Sequence, residues 1–95
     1  MRITFDPAKN EKNIAERGLS FELAAELEWN TALIREDVRR DYGETRLRAL
    51  ALLQGRLHAV VVTPRQEELR VISFRKANRK EERLYEKERP RPRTP

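Results

Sequence analysis

Apolar positions in the C-terminal third of the chain change from a two-residue repeat to a three- and four-residue repeat. Residues 69–75 alternate, which predicts a strand. One side of this strand would carry Arg70, Ile72 and Phe74, and the other would carry Leu69, Val71, Ser73 and Arg75. From Ala77 onward, apolar residues recur at helical spacing, with Leu84 and Tyr85 on one stripe. We therefore expect a strand that leads directly into a helix.

Capping residues predict two helices nearer the N-terminus. Asp6 is a good N-cap and Pro7 suits the first helical position, so a helix begins there and ends before Gly18. Ser20 then has the character of an N-cap for a second helix over residues 21–29.

Five segments have the composition and spacing of strands. They are residues 2–5, 32–38, 46–54, 57–63 and 69–75. The segment 46–54 is rich in Leu and Ala and also suits a long helix. The hairpin signal Gly55-Arg56 directly after it favours the sheet. The predicted order is β-α-α-β-β-β-β-α.

This order predicts an α+β fold in one domain, residues 1–88. An antiparallel sheet would carry the two N-terminal helices on one face, and the C-terminal helix would pack at its side or edge. Residues 89–95 are different, because Pro90, Pro92 and Pro95 alternate with arginines and forbid a helix. We expect this stretch to be an extended, disordered, basic tail.

Composition narrows the function classes. The chain has no cysteine and a single histidine, His58, so we expect no disulfide and no structural zinc site. We also expect no cofactor. No apolar stretch approaches the ~20 residues that cross a bilayer, and no signal peptide is recognisable at the N-terminus. We therefore expect a cytoplasmic protein with no membrane contact.

Charge is distributed unevenly along the chain. Residues 1–64 carry 10 Lys and Arg against 10 Asp and Glu, whereas residues 65–95 carry 11 against 6. The whole net charge of +5 therefore lies in the last third, which indicates a polyanionic partner, with nucleic acid as the first candidate. The competing interpretation is a solvated charged helix followed by a basic tail.

Cations are densest where the last strand meets the last helix. The five are Arg75, Lys76, Arg79, Lys80 and Arg83. Side-chain cations and the free N–H groups of a helix start together form a phosphate site. Arg75 is the first candidate ligand, because its planar fork grips phosphate in two bonds. The alternative is that Arg75 pairs with an acidic neighbour.

Three motifs give the chain a family resemblance over residues 3–88. The first is Phe5-Asp6-Pro7-Ala8-Lys9, followed by Asn13, Gly18, Ser20, Phe21 and Ala24. The second is Gly43-Glu44-Thr45-Arg46. The third and most specific runs from Arg70 through Ser73, Arg75-Lys76-Ala77 and Glu81 to Tyr85. With these motifs the chain resembles the BrnT toxins, the ribonuclease half of bacterial type II toxin–antitoxin pairs, whose fold is similar to that of RelE-like mRNA interferases.

The resemblance implies a metal-independent endoribonuclease that cuts RNA by 2′-OH attack and arrests translation and growth. It also implies a BrnA-like antitoxin with a ribbon–helix–helix end, which would cover the active groove. Operator DNA would be bound only through the complex. The chain departs from the family pattern in having Phe5 before Asp-Pro, where a tryptophan is usual, and Arg17 before the first glycine, where a histidine is usual.

The motifs supply the candidate site residues. The catalytic candidates are Arg75, Glu44 and Lys9, and the RNA-binding candidates are Arg46, Arg65, Lys76, Arg79 and Asn13. Glu44 is either a general base or a residue that orients Arg46, and the second role is favoured because a basic groove lowers the pKa of a carboxyl group. Lys9 and Asn13 would approach the groove from the first helix, or else form a solvated stripe.

Other interpretations stay open. His58 has the intrinsic pKa of an acid–base catalyst, but a lone histidine on a strand is more often packed. A non-catalytic RNA-binding module would carry the same basic groove. A protein that only pairs with another chain would show no salt-dependent RNA affinity.

Overall fold

The computed structural model describes residues 2–92 and has the α+β composition that the sequence predicts. The strands are β1 (Arg2–Phe5), β2 (Leu33–Glu36), β3 (Leu47–Leu53), β4 (Arg56–Arg65) and β5 (Glu68–Lys76). The α-helices are α1 (Pro7–Arg17) and α2 (Arg79–Glu88). Two 3₁₀ helices, Phe21–Glu26 and Trp29–Thr31, lie between α1 and β2. Neither α-helix has the length and apolar character needed to cross a membrane.

The five strands form one sheet in the order β1-β5-β4-β3-β2. Strands β2 to β5 form the predicted antiparallel meander, and β3 is a strand rather than the competing helix. The prediction of a wholly antiparallel sheet is wrong at one edge, because β1 pairs with β5 in parallel. Strands joined by a hairpin must be antiparallel. Strands β1 and β5 are far apart in sequence, with all the other strands between them, so no tight turn sets their relative direction.

The second predicted helix is also wrong in type. Residues 21–29 form 3₁₀ turns instead of an α-helix, while Ser20 caps the first of them as expected by accepting a hydrogen bond from the Glu22 N–H. The three buried residues of this segment are Phe21, Ala24 and Leu27, which recur every three residues. That spacing matches the three residues per turn of a 3₁₀ helix and puts all three on one side. The arrangement of two α-helices on one face is therefore not found.

One face of the sheet, called the inner face below, carries the main core. Its buried residues include Ala49, Ala51, Val60, Val62, Val71 and Phe74, together with the side chains of the first 3₁₀ helix. Phe5, which stands where the family has tryptophan, packs edge-on against Phe21 with ring centroids 5.9 Å apart. This substitution therefore leaves the core filled.

A β-bulge in β5 changes which side chains share a face. Val61 pairs with Ser73 and Val62 pairs with Val71, so Ile72 is the extra residue. As a result Phe74 is buried on the inner face with Val71, and Arg75 lies on the opposite, outer face. The predicted grouping of Phe74 with Arg70 is wrong, because strict alternation cannot pass through a bulge.

Helix α2 covers only half of the outer face. Beneath it lies a second apolar cluster of Leu50, Leu57 and Ala77, packed by Leu33, Leu52, Ala59 and Tyr85. The Tyr85 hydroxyl donates to the carbonyl of Thr31 at 2.9 Å, and Arg35 pairs with Glu88. Residues 89–92 form no helix or strand, and residues 93–95 of the predicted tail lie outside the described residues, so its disorder stays a prediction.

Candidate functional site

The half of the outer face that α2 leaves uncovered is lined by arginines. We call it the cationic half, and it comprises Arg35 of β2, Arg46 just before β3, Arg48 of β3, Arg65 of β4, and Arg70 and Arg75 of β5. The strand order places these side chains side by side although they are far apart in sequence. Arg35 stands directly opposite Arg48, a like-charge pair that destabilises a sheet. Such a violation is typical of a binding surface for an anion.

Glu44 sits within this cationic half and bonds three side chains. Its carboxylate accepts hydrogen bonds from Arg46 at 3.2 Å, Thr63 at 3.2 Å and Arg65 at 3.3 Å. The hydrogen bond from Arg46 is the main reason that the pKa of Glu44 lies below its ordinary value. Glu44 is therefore ionised at neutral pH, and the geometry suits a residue that orients Arg46 and Arg65.

The loop that leads into β3 is organised by a buried carboxylate. Asp37 accepts hydrogen bonds from Nε and Nη2 of Arg39 at 2.8 and 2.7 Å, and from the Tyr42 hydroxyl at 3.1 Å. The bonds from Arg39 hold the pKa of Asp37 well below its usual range. The Arg46 guanidinium lies 4.1 Å above the centre of the Tyr42 ring, a cation–π contact. Two arginines are thus fixed by this one loop.

Arg75 is anchored to the first turn of α2. Its Nη1 and Nη2 donate to the two carboxylate oxygens of Glu81 at 2.8 and 2.9 Å. Glu81 also accepts from the Asn78 N–H and so completes the capping box of the helix. The pKa of Glu81 is lowered, chiefly by the hydrogen bond from Arg75. The acidic pairing foreseen as an alternative is present, yet 41% of the Arg75 side chain stays exposed.

A cavity of about 310 Å³ lies between the outer face and α2, along the border of the cationic half. Its floor includes Leu50, Ala59 and Val61, and α2 contributes Glu81 and Leu84. Arg35, Arg39, Arg48 and Arg75 line it as well, with Ser73. The cavity therefore joins an apolar floor to several guanidinium groups.

The two candidates on α1 lie apart from this cavity. Lys9 is exposed on the helix and does not line it. Asn13 is buried, and its amide donates to the carbonyls of Leu19 and Phe74 at 2.9 and 3.0 Å. Its oxygen accepts from Arg17 at 3.1 Å, so Asn13 holds α1 against the end of β5. The structure thus gives Asn13 a packing role.

Of the other residues considered, two are exposed at the junction with α2 and one is buried on the inner face of the sheet. Lys76 and Arg79 are exposed at the junction between β5 and α2. His58 is buried against Phe74, and its Nδ1 donates to the Arg56 carbonyl at 2.8 Å. Within residues 2–92, no group of three or more histidine, aspartate or glutamate side chains could hold a metal ion.

Sequence reasoning missed four of the residues that line the cavity, namely Arg35, Arg39, Arg48 and Ser73. Arg48 could have been found from the sequence, because it lies two residues after the candidate Arg46 and therefore points to the same side of a strand. The others required the pairing of β2 with β3 and the bulge in β5, which no local pattern contains.

Comparison with known proteins gives one family. A family model described as a ribonuclease toxin, BrnT, of type II toxin–antitoxin systems matches residues 5–81. The matched range includes the whole meander, the loop with Asp37 and Glu44, and the pairing of Arg75 with Glu81. No curated protein matches the chain.

Proposed function

The chain belongs to the BrnT ribonuclease toxins of type II toxin–antitoxin systems, and from this membership we propose that it is a metal-independent endoribonuclease. The family implies an RNA substrate and an antitoxin partner. We place the cleaved linkage on the cationic half of the outer face. RNA phosphates would contact its arginines, with Arg75 as the principal catalytic group and the others as binding groups.

The observation that supports this proposal best is the register between β2 and β3. It puts Arg35 opposite Arg48, and Arg75 lies on the same face two strands away. Like charges in neighbouring positions repel; Glu88 pairs with Arg35, and an anion bound beside Arg48 and Arg75 would relieve the repulsion further. A nucleic acid backbone supplies the required line of negative charge.

In the proposed reaction the 2′ oxygen attacks the adjacent phosphorus and the bond to the 5′ oxygen breaks. The proton lost from the 2′-OH is matched by one gained at the 5′ oxygen, and the products are a cyclic phosphate and a 5′-OH. Arg75 stabilises the charge that develops on the phosphorane oxygens through its Nε–H, which the contact with Glu81 does not use. Glu44 orients Arg46 and Arg65, because its low pKa makes it a weak base.

We further propose a BrnA-like, ribbon–helix–helix antitoxin that neutralises the toxin by covering the cationic half. Operator DNA would be bound through that complex, and free toxin would cut mRNA in the cytoplasm and arrest growth. Membership of a type II toxin–antitoxin family supports an antitoxin partner and an RNA substrate. The relationship to the RelE-like fold rests on the sequence resemblance, and 3₁₀ turns stand where its second helix was expected.

A non-catalytic RNA-binding module is the second candidate. It is favoured by the state of the carboxylates, because Glu44 and Glu81 are both bonded to arginines and both have lowered pKa values. His58, the only histidine, is buried on the inner face.

Cleavage of RNA by the purified protein in the presence of a chelator separates these candidates. We expect cyclic phosphate ends, and we expect Arg75→Ala to slow cleavage by about 10²–10³-fold, as loss of one oxyanion donor does. Arg56→Ala is the matched control, since Arg56 is exposed at the far end of β4 and should leave the rate unchanged.

Three outcomes would decide against the proposal. Salt-sensitive RNA binding without cleavage would support the binding module. Absence of RNA binding at low salt would indicate a protein that only pairs with another chain. Equal rates for Arg75→Ala and Arg56→Ala would remove Arg75 from the reaction.

A further inference from the structure

The cavity beside α2 combines two surfaces that suit different parts of one ligand. Leu50, Ala59 and Val61 make its floor apolar, and Leu84 of α2 adds an apolar wall. Its volume of about 310 Å³ lies at the lower end of the ~300–1,000 Å³ typical of small-molecule sites. A ligand of this size with a flat apolar part fits the floor.

Arginines stand at both sides of this floor. Arg75 projects from β5 and Arg35 from β2, with β4 and β3 between them. Three interstrand steps of about 4.8 Å separate their backbones by roughly 14 Å. Arg39 joins Arg35 at the β2 side. An occupant of the floor is therefore flanked by guanidinium groups on two sides.

Carboxylates hold Arg75 and Arg39 through different edges of the guanidinium group. Nη1 and Nη2 of Arg75 donate hydrogen bonds to Glu81, and the Nε–H of Arg75 takes no part in this contact. Nε and Nη2 of Arg39 donate hydrogen bonds to Asp37, and Nη1 of Arg39 takes no part in this contact. Each guanidinium is thus fixed in orientation but keeps donors for a second anion. A fixed arginine loses little side-chain entropy when it binds phosphate.

From these features we propose that the cavity is a subsite for one unpaired nucleotide of the RNA substrate. Its base lies on the apolar floor, and its flanking phosphates contact Arg75 on one side and Arg39 on the other. The base is unpaired when bound, because a base that stays stacked in a duplex cannot pack its face against the apolar floor, and an already unpaired base avoids the cost of unstacking. This inference rests on the proposed function and adds that the substrate is single-stranded at the cleavage site.

A nucleotide fits this site better than inorganic phosphate does. Phosphate alone would use the arginines and leave Leu50, Ala59 and Leu84 without a partner. Burial of the base against these side chains adds a hydrophobic contribution that phosphate lacks. Affinity for a nucleotide should therefore exceed affinity for phosphate.

The direct test titrates nucleoside 3′-monophosphates and inorganic phosphate into the full-length protein, followed by NMR shifts or calorimetry. We expect at least one nucleotide to bind about tenfold or more tighter than phosphate, which corresponds to about 1.4 kcal/mol. Equal affinities for phosphate and all nucleotides would overturn the subsite, since only the arginines would then contribute.

Leu84→Trp provides the matched variant, because the larger side chain would fill the cavity. Leu84 is 39% exposed, so the change leaves the core of the fold intact. We expect nucleotide affinity to fall at least tenfold, phosphate affinity to stay the same, and the KM for RNA to rise more than kcat falls. Val38→Trp is the control, since Val38 is 76% exposed and does not line the cavity.

Arg39→Ala tests the second phosphate contact without touching the apolar floor. Its side chain is 63% exposed, and we expect a nucleotide affinity reduced about tenfold. If the wild type cleaves RNA and neither variant changes KM or nucleotide affinity, the subsite is wrong and the ribonuclease stands. If nucleotides bind as expected but RNA is never cut, the subsite stands and the ribonuclease is wrong.

Discussion

The two halves of the outer face are built from the same strands and have opposite character. Strand β3 contributes Leu50 and Leu52 to the half beneath α2, and Arg48 to the uncovered half. One half is closed by Tyr85 and the apolar cluster, and the other exposes 57% of the Arg35 side chain. The border between them is the cavity.

The covered half of this surface contributes to the stability of the fold, and the uncovered half is suited to binding. The covered half gains free energy by burying apolar area, at about 25 cal/mol per Å². The uncovered half loses free energy where Arg35 faces Arg48. Glu88 offsets part of this repulsion by pairing with Arg35, and Glu44 and Glu81 accept hydrogen bonds from other arginines of the same half. The excess of positive charge that remains is available to a ligand.

The largest effect should come from breaking the covered half. Leu57 is buried in the second apolar cluster, so Leu57→Ala leaves a cavity and should lower the free energy of unfolding by about 2–5 kcal/mol. Arg48→Ala, on the uncovered half, should leave stability unchanged or slightly raise it by relieving repulsion with Arg35. Urea unfolding of the two variants measures both values. A larger loss for Arg48→Ala would reverse the assignment of the two halves.

Sequence alone identified the strands, the capped first helix and the junction at Arg75. Those features depend on local signals, such as the N-cap Asp6 and the alternation in 57–63, that the folded chain preserves. The sequence also singled out Glu44 and Arg46, which the structure joins by a hydrogen bond, while the role of Glu44 as an orienter stays a prediction.

The arrangement of the cationic half was beyond local reasoning. Net charge pointed to residues 65–95, yet half of the arginines of the cationic half come from the balanced first 64 residues, namely Arg35, Arg46 and Arg48. Their role depends on which strands are neighbours and in what register. The bulge at Ile72 likewise decides which face Arg75 occupies, and a bulge leaves no mark in a short apolar pattern.

Acid should weaken the ion pair between Arg75 and Glu81, which joins the uncovered half to α2. The pKa of Glu81 is lower in the folded protein than its ordinary value near 4.3, so its contribution is fully present above that value. The contribution is lost as the pH falls through the lower, folded pKa. We therefore expect thermal stability to decline below about pH 4. The ion pair between Glu81 and Arg75 should account for about 0–1 kcal/mol of this decline, as for other part-exposed ion pairs. Asp37 and Glu44 add to the decline, because their pKa values are lowered too.

Glu81→Gln isolates this effect. Glutamine can still complete the capping box with Asn78, but it carries no charge for Arg75. The difference in melting temperature between wild type and variant should be present at neutral pH and shrink below pH 4. A difference that stays constant from pH 7 to pH 3 would show that the ion pair with Arg75 contributes nothing.

The smallest effect concerns the salt dependence of RNA binding. Arg65 lies at the far end of the cationic half from α2 and bonds only Glu44 among its described contacts. If it contacts one phosphate, Arg65→Ala should reduce the slope of log affinity against log salt by about 0.7, the value for single strands. Arg56→Ala should leave that slope unchanged, because Arg56 lies outside the cationic half. Equal slopes for Arg65→Ala and wild type would confine RNA to the cavity and its neighbouring arginines. The slopes should be measured with a non-cleavable RNA. They show whether the bound strand extends along the uncovered half as far as Arg65.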